Sequence, residues 1–377
     1  MSHPKRLKMM QQLMDKHQLK AIVLSSPTSQ HYVSGYKAIT YSRPLFYVHS
    51  QKESAFIVPG LEEEHARHVA RVDRVIVYYE HPEQAHQGTN PVTSLLSYLQ
   101  ASVPVGKLGV EFNAVSIKVA KALIEAGWEL VDVSDDLLGA RVVKDAEELD
   151  LLRSAGKMVS LAVRASLEAV APGVTELEID QQGHRAALEE VSRLYPNTIA
   201  AVNAMTPSGV VRTVMPHVYS NTRRLEKGDI LIHTHHVVLN GYIAECERTC
   251  FSREASDRQK EAFSVMLAAQ QAAFDTIKAG VPMCDVDLAA RAVIQKAGFG
   301  DYAIHRTGHS MGLDIHEPPF FRFDEKALLQ EGMVFTVEPG FYVPGLGGFR
   351  HSDTVIITKD GYELVTNVAS DLESMIL

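Results

Sequence analysis

The dipeptide Asn240-Gly241 sits between two runs of strand-forming residues, Ile230-Leu231-Ile232-His233-Thr234-His235-His236 and Tyr242 through Glu245-Cys246-Glu247-Arg248-Thr249. Few local signals constrain a fold as much. Both residues of an Asn-Gly turn accept left-handed backbone and close a two-residue hairpin with the twist its strands need. Side chains alternate along a strand, so Glu245, Glu247 and Thr249 are expected on one face and Cys246, Arg248 and Cys250 on the other. Two carboxylates on one face repel unless water, a proton or a cation compensates them. A solvated outer face is the ordinary outcome; segments further along the chain favour a functional one.

With 377 residues the chain is long enough for two domains with cores of their own. In the first part, strand-like runs at 21–24, 46–48, 55–58, 75–79, 108–111 and 129–133 alternate with helical patterns, which predicts a small α/β domain over 1–133. Residues 134–144 are expected to link it to a second domain, 145–377. There, Ala171-Pro172-Gly173-Val174-Thr175-Glu176 and Lys278-Ala279-Gly280-Val281-Pro282-Met283-Cys284-Asp285 each separate two long helical patterns. The weak repeat suggests a pseudo-twofold α/β domain, with a curved, largely antiparallel sheet and helices on its outer face. A net charge of −9 argues against nucleic-acid binding, and no apolar run approaches membrane-spanning length. Three cysteines without paired spacing suit a reducing compartment, with Cys246 and Cys250 as packing residues. The start of the chain runs into a mixed helical pattern, not a signal-peptide core, and a cytoplasmic location is expected.

Polar residues concentrate in four other segments of the second domain. His305, His309 and His316 lie in a glycine-punctuated stretch that lets a ligand approach His309 closely. Glu338 ends the apolar run Val334-Phe335-Thr336-Val337, where burial demands a cation, a proton donor or a metal. Arg350-His351-Ser352-Asp353 opens another apolar strand, and His217 follows a proline in the loop before the hairpin.

The ordered set His217, Gly228-Asp229, Gly241-Tyr242, Arg248-Thr249, Gly308-His309, His316-Glu317, Glu338-Pro339-Gly340 and Arg350…Asp353 is similar to the pita-bread superfamily. The resemblance extends over both domains to the two-domain branch shared by creatinase and the Xaa-Pro aminopeptidases and prolidases. It implies the pita-bread fold, a homodimer and a small-molecule substrate. The peptidases of that branch hold two metal ions with two Asp, one His and two Glu. In their register this chain has Thr234, Glu245, His309, Glu338 and Ser352, so two anionic positions carry hydroxyls. Like creatinase, it reads Glu247-Arg248-Thr249 and Gly308-His309-Ser310, and places His217 at the spacing of creatinase's catalytic histidine. Arg43 in Ser42-Arg43-Pro44 matches the branch's carboxylate-binding Arg, whereas the second substrate Arg of creatinase falls nearest Phe320. His316-Glu317-Pro318-Pro319 follows the peptidases instead.

Three readings result. The leading expectation is a metal-independent hydrolase that cleaves a C–N bond in a small carboxylate-bearing amide, amidine or ureido compound and uses no cofactor. His217, Glu247, Glu338 and His309 would be its catalytic residues, and Arg43, His316, Glu245, Thr234 and Ser352 its substrate-binding ones. The second is an Xaa-Pro dipeptidase or aminopeptidase with a rebuilt one-metal site at His236, Glu245, His309 and Glu338. The third is a non-catalytic binding protein.

Overall fold

The computed structural model describes residues 3–40, 42–84 and 89–377, and its contacts divide the chain into two compact units, 1–141 and 142–377. In the first unit the apolar runs form β1 (Ala21–Leu24), β2 (Phe46–Ser50), β3 (Ser54–Pro59), β4 (Arg74–Tyr78), β5 (Lys107–Val110) and β6 (Glu129–Asp132). They lie in one mixed sheet of order β4-β3-β2-β1-β5-β6. Leu95, Leu99 and Leu123 from the covering helices pack with Trp128 onto Val23, Phe46 and Val48. Residues 134–144, expected as a linker, contain the helix Ser134–Ala140.

In the second unit, strands β7 (Ala200–Met205), β8 (Ile230–Leu239), β9 (Tyr242–Phe251), β10 (Gly308–Ser310), β11 (Glu317–Phe321) and β12 (Val334–Val337) follow one another along the chain. After them come β13 (Gly340–Val343), β14 (Gly347–Arg350), β15 (Ser352–Ile357) and β16 (Tyr362–Leu364). The main sheet has the order β11-β10-β12-β15-β9-β8-β7, with β16 beside β15 and β13-β14 as a separate hairpin. Every pairing in the main sheet is antiparallel. Asn240 (φ 48°) and Gly241 (φ 93°) turn β8 into β9, as the Asn-Gly signal requires.

The two helix pairs are Ala146–Glu168 with Glu176–Leu194, and Asp257–Thr276 with Met283–Lys296. Asp145/Glu148, Thr175/Glu178 and Ser256/Gln259 form reciprocal capping boxes at three of their starts, each satisfying two otherwise orphaned N–H groups. The fourth helix starts behind Pro282 without a side-chain cap, and Asp285 lies in its first turn. Val159, Ala162, Ile179, Phe263, Met266 and Val286 join Leu231, Cys246, Cys250 and Val355 in one core. All ten residues of β8 and of β9 are buried, so both faces of the hairpin are covered. On the face of Cys246, Arg248 is paired with Asp353 at 2.8 Å and also caps the carbonyls of Val368 and Ala369. The other face carries Thr234, His236, Glu245 and Glu247. Among the described residues no helix is long and apolar enough to cross a membrane.

Candidate active site

Cross-strand register builds the site. Thr234 stands opposite Glu247, and His236 opposite Glu245, across β8 and β9. Ser352 stands opposite Glu247 across β9 and β15. Thr336 of β12 bridges the rest: its hydroxyl donates to Glu338 Oε1 at 3.1 Å and accepts the His309 N–H at 3.1 Å. Gly308 brings β10 this close, because a Cβ there would lie 2.1 Å from the Thr336 carbonyl oxygen.

Donor atoms of Glu245, His309 and Glu338 all lie within 4.8 Å of one another, and all three residues are buried. A carbonyl can only accept, so the 3.1 Å contact between His309 Nδ1 and the Ser310 oxygen makes Nδ1 the donor. In the neutral ring Nε2 then presents its lone pair towards Glu338 Oε1, 3.2 Å away. Lone pair facing carboxylate is repulsive unless a proton or a cation lies between them. Burial lowers the pKa of His309, but Glu338 outweighs it and the net direction is upward. Burial likewise opposes ionisation of Glu338, yet His305, His309 and Arg350 hold its carboxyl well below the ordinary range. Glu245 is fixed from two sides: Ser352 Oγ donates to Oε1 at 2.6 Å, and His236 Nε2 lies 2.7 Å from Oε2.

Glu247 is occupied differently. Arg350 grips both of its oxygens, Nε to Oε1 at 2.5 Å and a terminal nitrogen to Oε2 at 2.6 Å, and Thr234 Oγ1 also donates to Oε2. Arg350 further contacts Tyr342 Oη at 2.8 Å and lies 3.7 Å from Glu338. Burial works against its charge and the Glu247 carboxylate more than restores it.

A cavity of about 200 Å³ opens onto this group. It brings together His217, Thr234, His236, Glu245, His309, His316 and Glu338 from the expected set, with Met205, His305, Ile315 and Arg350 completing the wall. His217 is exposed at the site, and the His316 ring crosses that of His309 at 4.1 Å between centroids. Glu247 and Ser352 stay behind the wall, held by Arg350 and holding Glu245. Arg43 belongs to the first unit, where Glu80 binds it at 2.8 Å. Of the residues outside the expected set, Arg350 had a signal: a lone arginine in an apolar strand must find a carboxylate. Met205 and Ile315 are ordinary apolar residues and had none.

The sequence pattern of Metallopeptidase family M24 matches residues 150–359, more than half of the chain, and that of the Creatinase/Prolidase N-terminal domain matches residues 6–143. The chain belongs to metallopeptidase family M24. Among similar proteins, the "Putative dipeptidase YkvY" of Bacillus subtilis (strain 168) is 32% identical over 349 residues, 90% of this chain and 92% of that one. The Xaa-Pro dipeptidase of Pyrococcus furiosus is 28% identical over 97% of this chain and 99% of its own. The crystal structure of the prolidase from Pyrococcus horikoshii OT3 superposes with a TM-score of 0.86 at 25% identity, covering 98% of this chain and 99% of that one. The pita-bread reading of the second domain and the two-domain branch both hold for this M24 hydrolase.

A centre without any cofactor does not. Membership of a metallopeptidase family and the convergence of Glu245, His309 and Glu338 overturn that expectation. Counting hydroxyls at Thr234 and Ser352 overlooked what burial retains: three carboxylates (Glu245, Glu247, Glu338) against one guanidinium (Arg350). With the imidazoles neutral, that leaves two negative charges, the charge of one divalent ion. Two carboxylates and an imidazole are a donor set suited to Mn²⁺, Fe²⁺ or Zn²⁺.

Proposed function

We propose that this M24 chain is a metal-dependent dipeptidase acting on Xaa-Pro or related dipeptides, with one divalent cation held by Glu245, His309 and Glu338. The convergence of those donors, with His309 Nε2 aimed among them, carries the reading. A divalent cation in such a set supplies Lewis-acid polarisation of a scissile carbonyl. The remaining work falls to the chain. Ser352 and His236 orient Glu245 from outside the donor set, as outer hydrogen bonds do for ligands generally. His217, at the open side of the cavity, carries a proton to the leaving nitrogen, and His316 donates to the carbonyl oxygen as it gains charge. Glu247 balances Arg350 and does not meet the substrate. A homodimer and a cytoplasmic location are parts of the same proposal, the first checked by light scattering.

Elemental analysis of protein purified without added metal should find one ion per chain, and His309→Ala should lose it. Hydrolysis of Ala-Pro should stop on chelation and return with Mn²⁺ or Zn²⁺. Full turnover in the presence of chelator would overturn the proposal, as would an unchanged metal content in His309→Ala.

A further inference from the structure

An arginine beside the cavity has no ion-pair partner among the described residues. Arg306 is partly buried, and its guanidinium lies over the ring of Phe320, 4.1 Å from the centroid. Among the described residues no carboxylate lies within ion-pair distance of it. Other arginines of the chain are treated differently: in the same unit Arg322 is held by Asp324 at 2.5 Å and Arg350 by Glu247, and in the first unit Arg43 is held by Glu80. Phe320 is the register partner of His309 across β10 and β11. Residues paired in this way direct their side chains to the same face of the sheet, so the ring that carries Arg306 stands on the face from which His309 meets Glu338. Arg306 follows His305, which lines the cavity, and its charge is felt at both Glu338 and His316.

The cation–π contact with Phe320 holds the guanidinium over the ring and leaves N–H groups at its edge for a ligand. A planar fork with no ion-pair partner among the described residues matches a carboxylate in two parallel hydrogen bonds. On the dipeptidase reading, on which this inference rests, the anionic group of the substrate is its C-terminal carboxylate, one residue from the bond that reacts. We infer that Arg306, held on Phe320, is the specificity determinant that receives the C-terminal carboxylate of a dipeptide and sets its reacting carbonyl against the Glu245–His309–Glu338 group. The same contact limits the substrate: a chain extended beyond the second residue would place a neutral peptide group where the guanidinium expects an anion.

The test compares Ala-Pro with Ala-prolinamide, with Mn²⁺ supplied, in the wild type, Arg306→Met, Arg306→Lys and Arg43→Met. Methionine keeps the stem that packs on Phe320 and removes the fork. The wild type should prefer the free acid in kcat/KM, and Arg306→Met should reduce that preference by about 10- to 100-fold, the value of a charge-assisted hydrogen bond. Arg306→Lys should recover part of it. Equilibrium binding of L-proline and L-prolinamide to the same proteins reads the contact without turnover. If the wild type cleaves neither dipeptide yet binds proline more tightly, and Arg306→Met abolishes the difference, Arg306 keeps its role and the dipeptidase reading falls. A wild type indifferent to the carboxylate in both measurements would sink the inference. So would a preference lost in Arg43→Met but kept in Arg306→Met.

Discussion

Arg350 shows how much of this site depends on one side chain. It is fully buried among Glu247, Glu338 and Tyr342, and its bidentate grip is what makes a third carboxylate tolerable there. Removing one member of a buried pair strands the other charge at a cost of about 3–5 kcal/mol, whereas replacing both by apolar groups is often near neutral. Arg350→Met should therefore lower unfolding stability by about that amount, and Arg350→Met/Glu247→Leu should regain most of it. Urea unfolding of the metal-free proteins checks this. Equal losses in the single and double variants would show that the pair is not the stabilising unit. Glu247 also marks the limit of sequence reading at this scale. Its face was legible from strand alternation, but whether it meets a substrate or a guanidinium depended on Arg350, 103 residues away.

At the scale of elements, strand packing sets the geometry of the proposed metal ligands. β10 is only three residues long, yet it places His309 because Gly308 lets it lie against the Thr336 carbonyl. A methyl group there would meet backbone, which cannot rotate aside. Gly308→Ala should cost about 1–3 kcal/mol through overpacking and weaken metal binding by shifting His309 away from Glu338. Calorimetric titration with Mn²⁺ beside a thermal melt measures both; unaltered affinity would mean that the strand position does not govern the ligand. The β8-β9 hairpin, by contrast, was legible in advance, since Asn240 and Gly241 have few alternatives to the left-handed turn they adopt.

Taken whole, the second unit buries His233, His235 and His351 where the neutral imidazole is favoured. Behind Thr234, the Thr206 hydroxyl donates to Asp180 and so accepts from His233 Nδ1 at 2.7 Å, which leaves His233 Nε2 without a partner among the described residues. Burial pushes His233 down from 6.5 to about 3, and lowers His235 and His351 well below the same starting value. A histidine depressed on folding binds its proton more readily when unfolded. Its stabilising contribution is thus complete above about pH 6.5 and is lost as the pH falls towards the folded value, at about 1.4 kcal/mol per pH unit for each group. Glu338, depressed by its cationic neighbours, adds a loss of the same sign below its ordinary carboxylate range, while His309, raised by Glu338, runs the other way. Between pH 6.5 and 4 three depressed histidines stand against His309, and the net expectation is a urea midpoint that falls steeply over that interval. A flat midpoint over that interval would contradict the neutral burial of these rings.

The sequence alone determined what is local or ordered along the chain: the Asn-Gly hairpin, the capped helices, the alternation that put Glu245 and Glu247 on one face, and the succession of motifs that marks the superfamily. These depend on backbone conformation and on residue order, and both are properties of short segments. The tertiary structure alone decided how the charges are shared. Thr234 and Ser352 were visible as missing acids, but the negative charge that remains for a cation is set by which carboxylate the Arg350 guanidinium takes. That choice depends on contacts across several strands, because electrostatic energy follows distance in space and not separation along the chain.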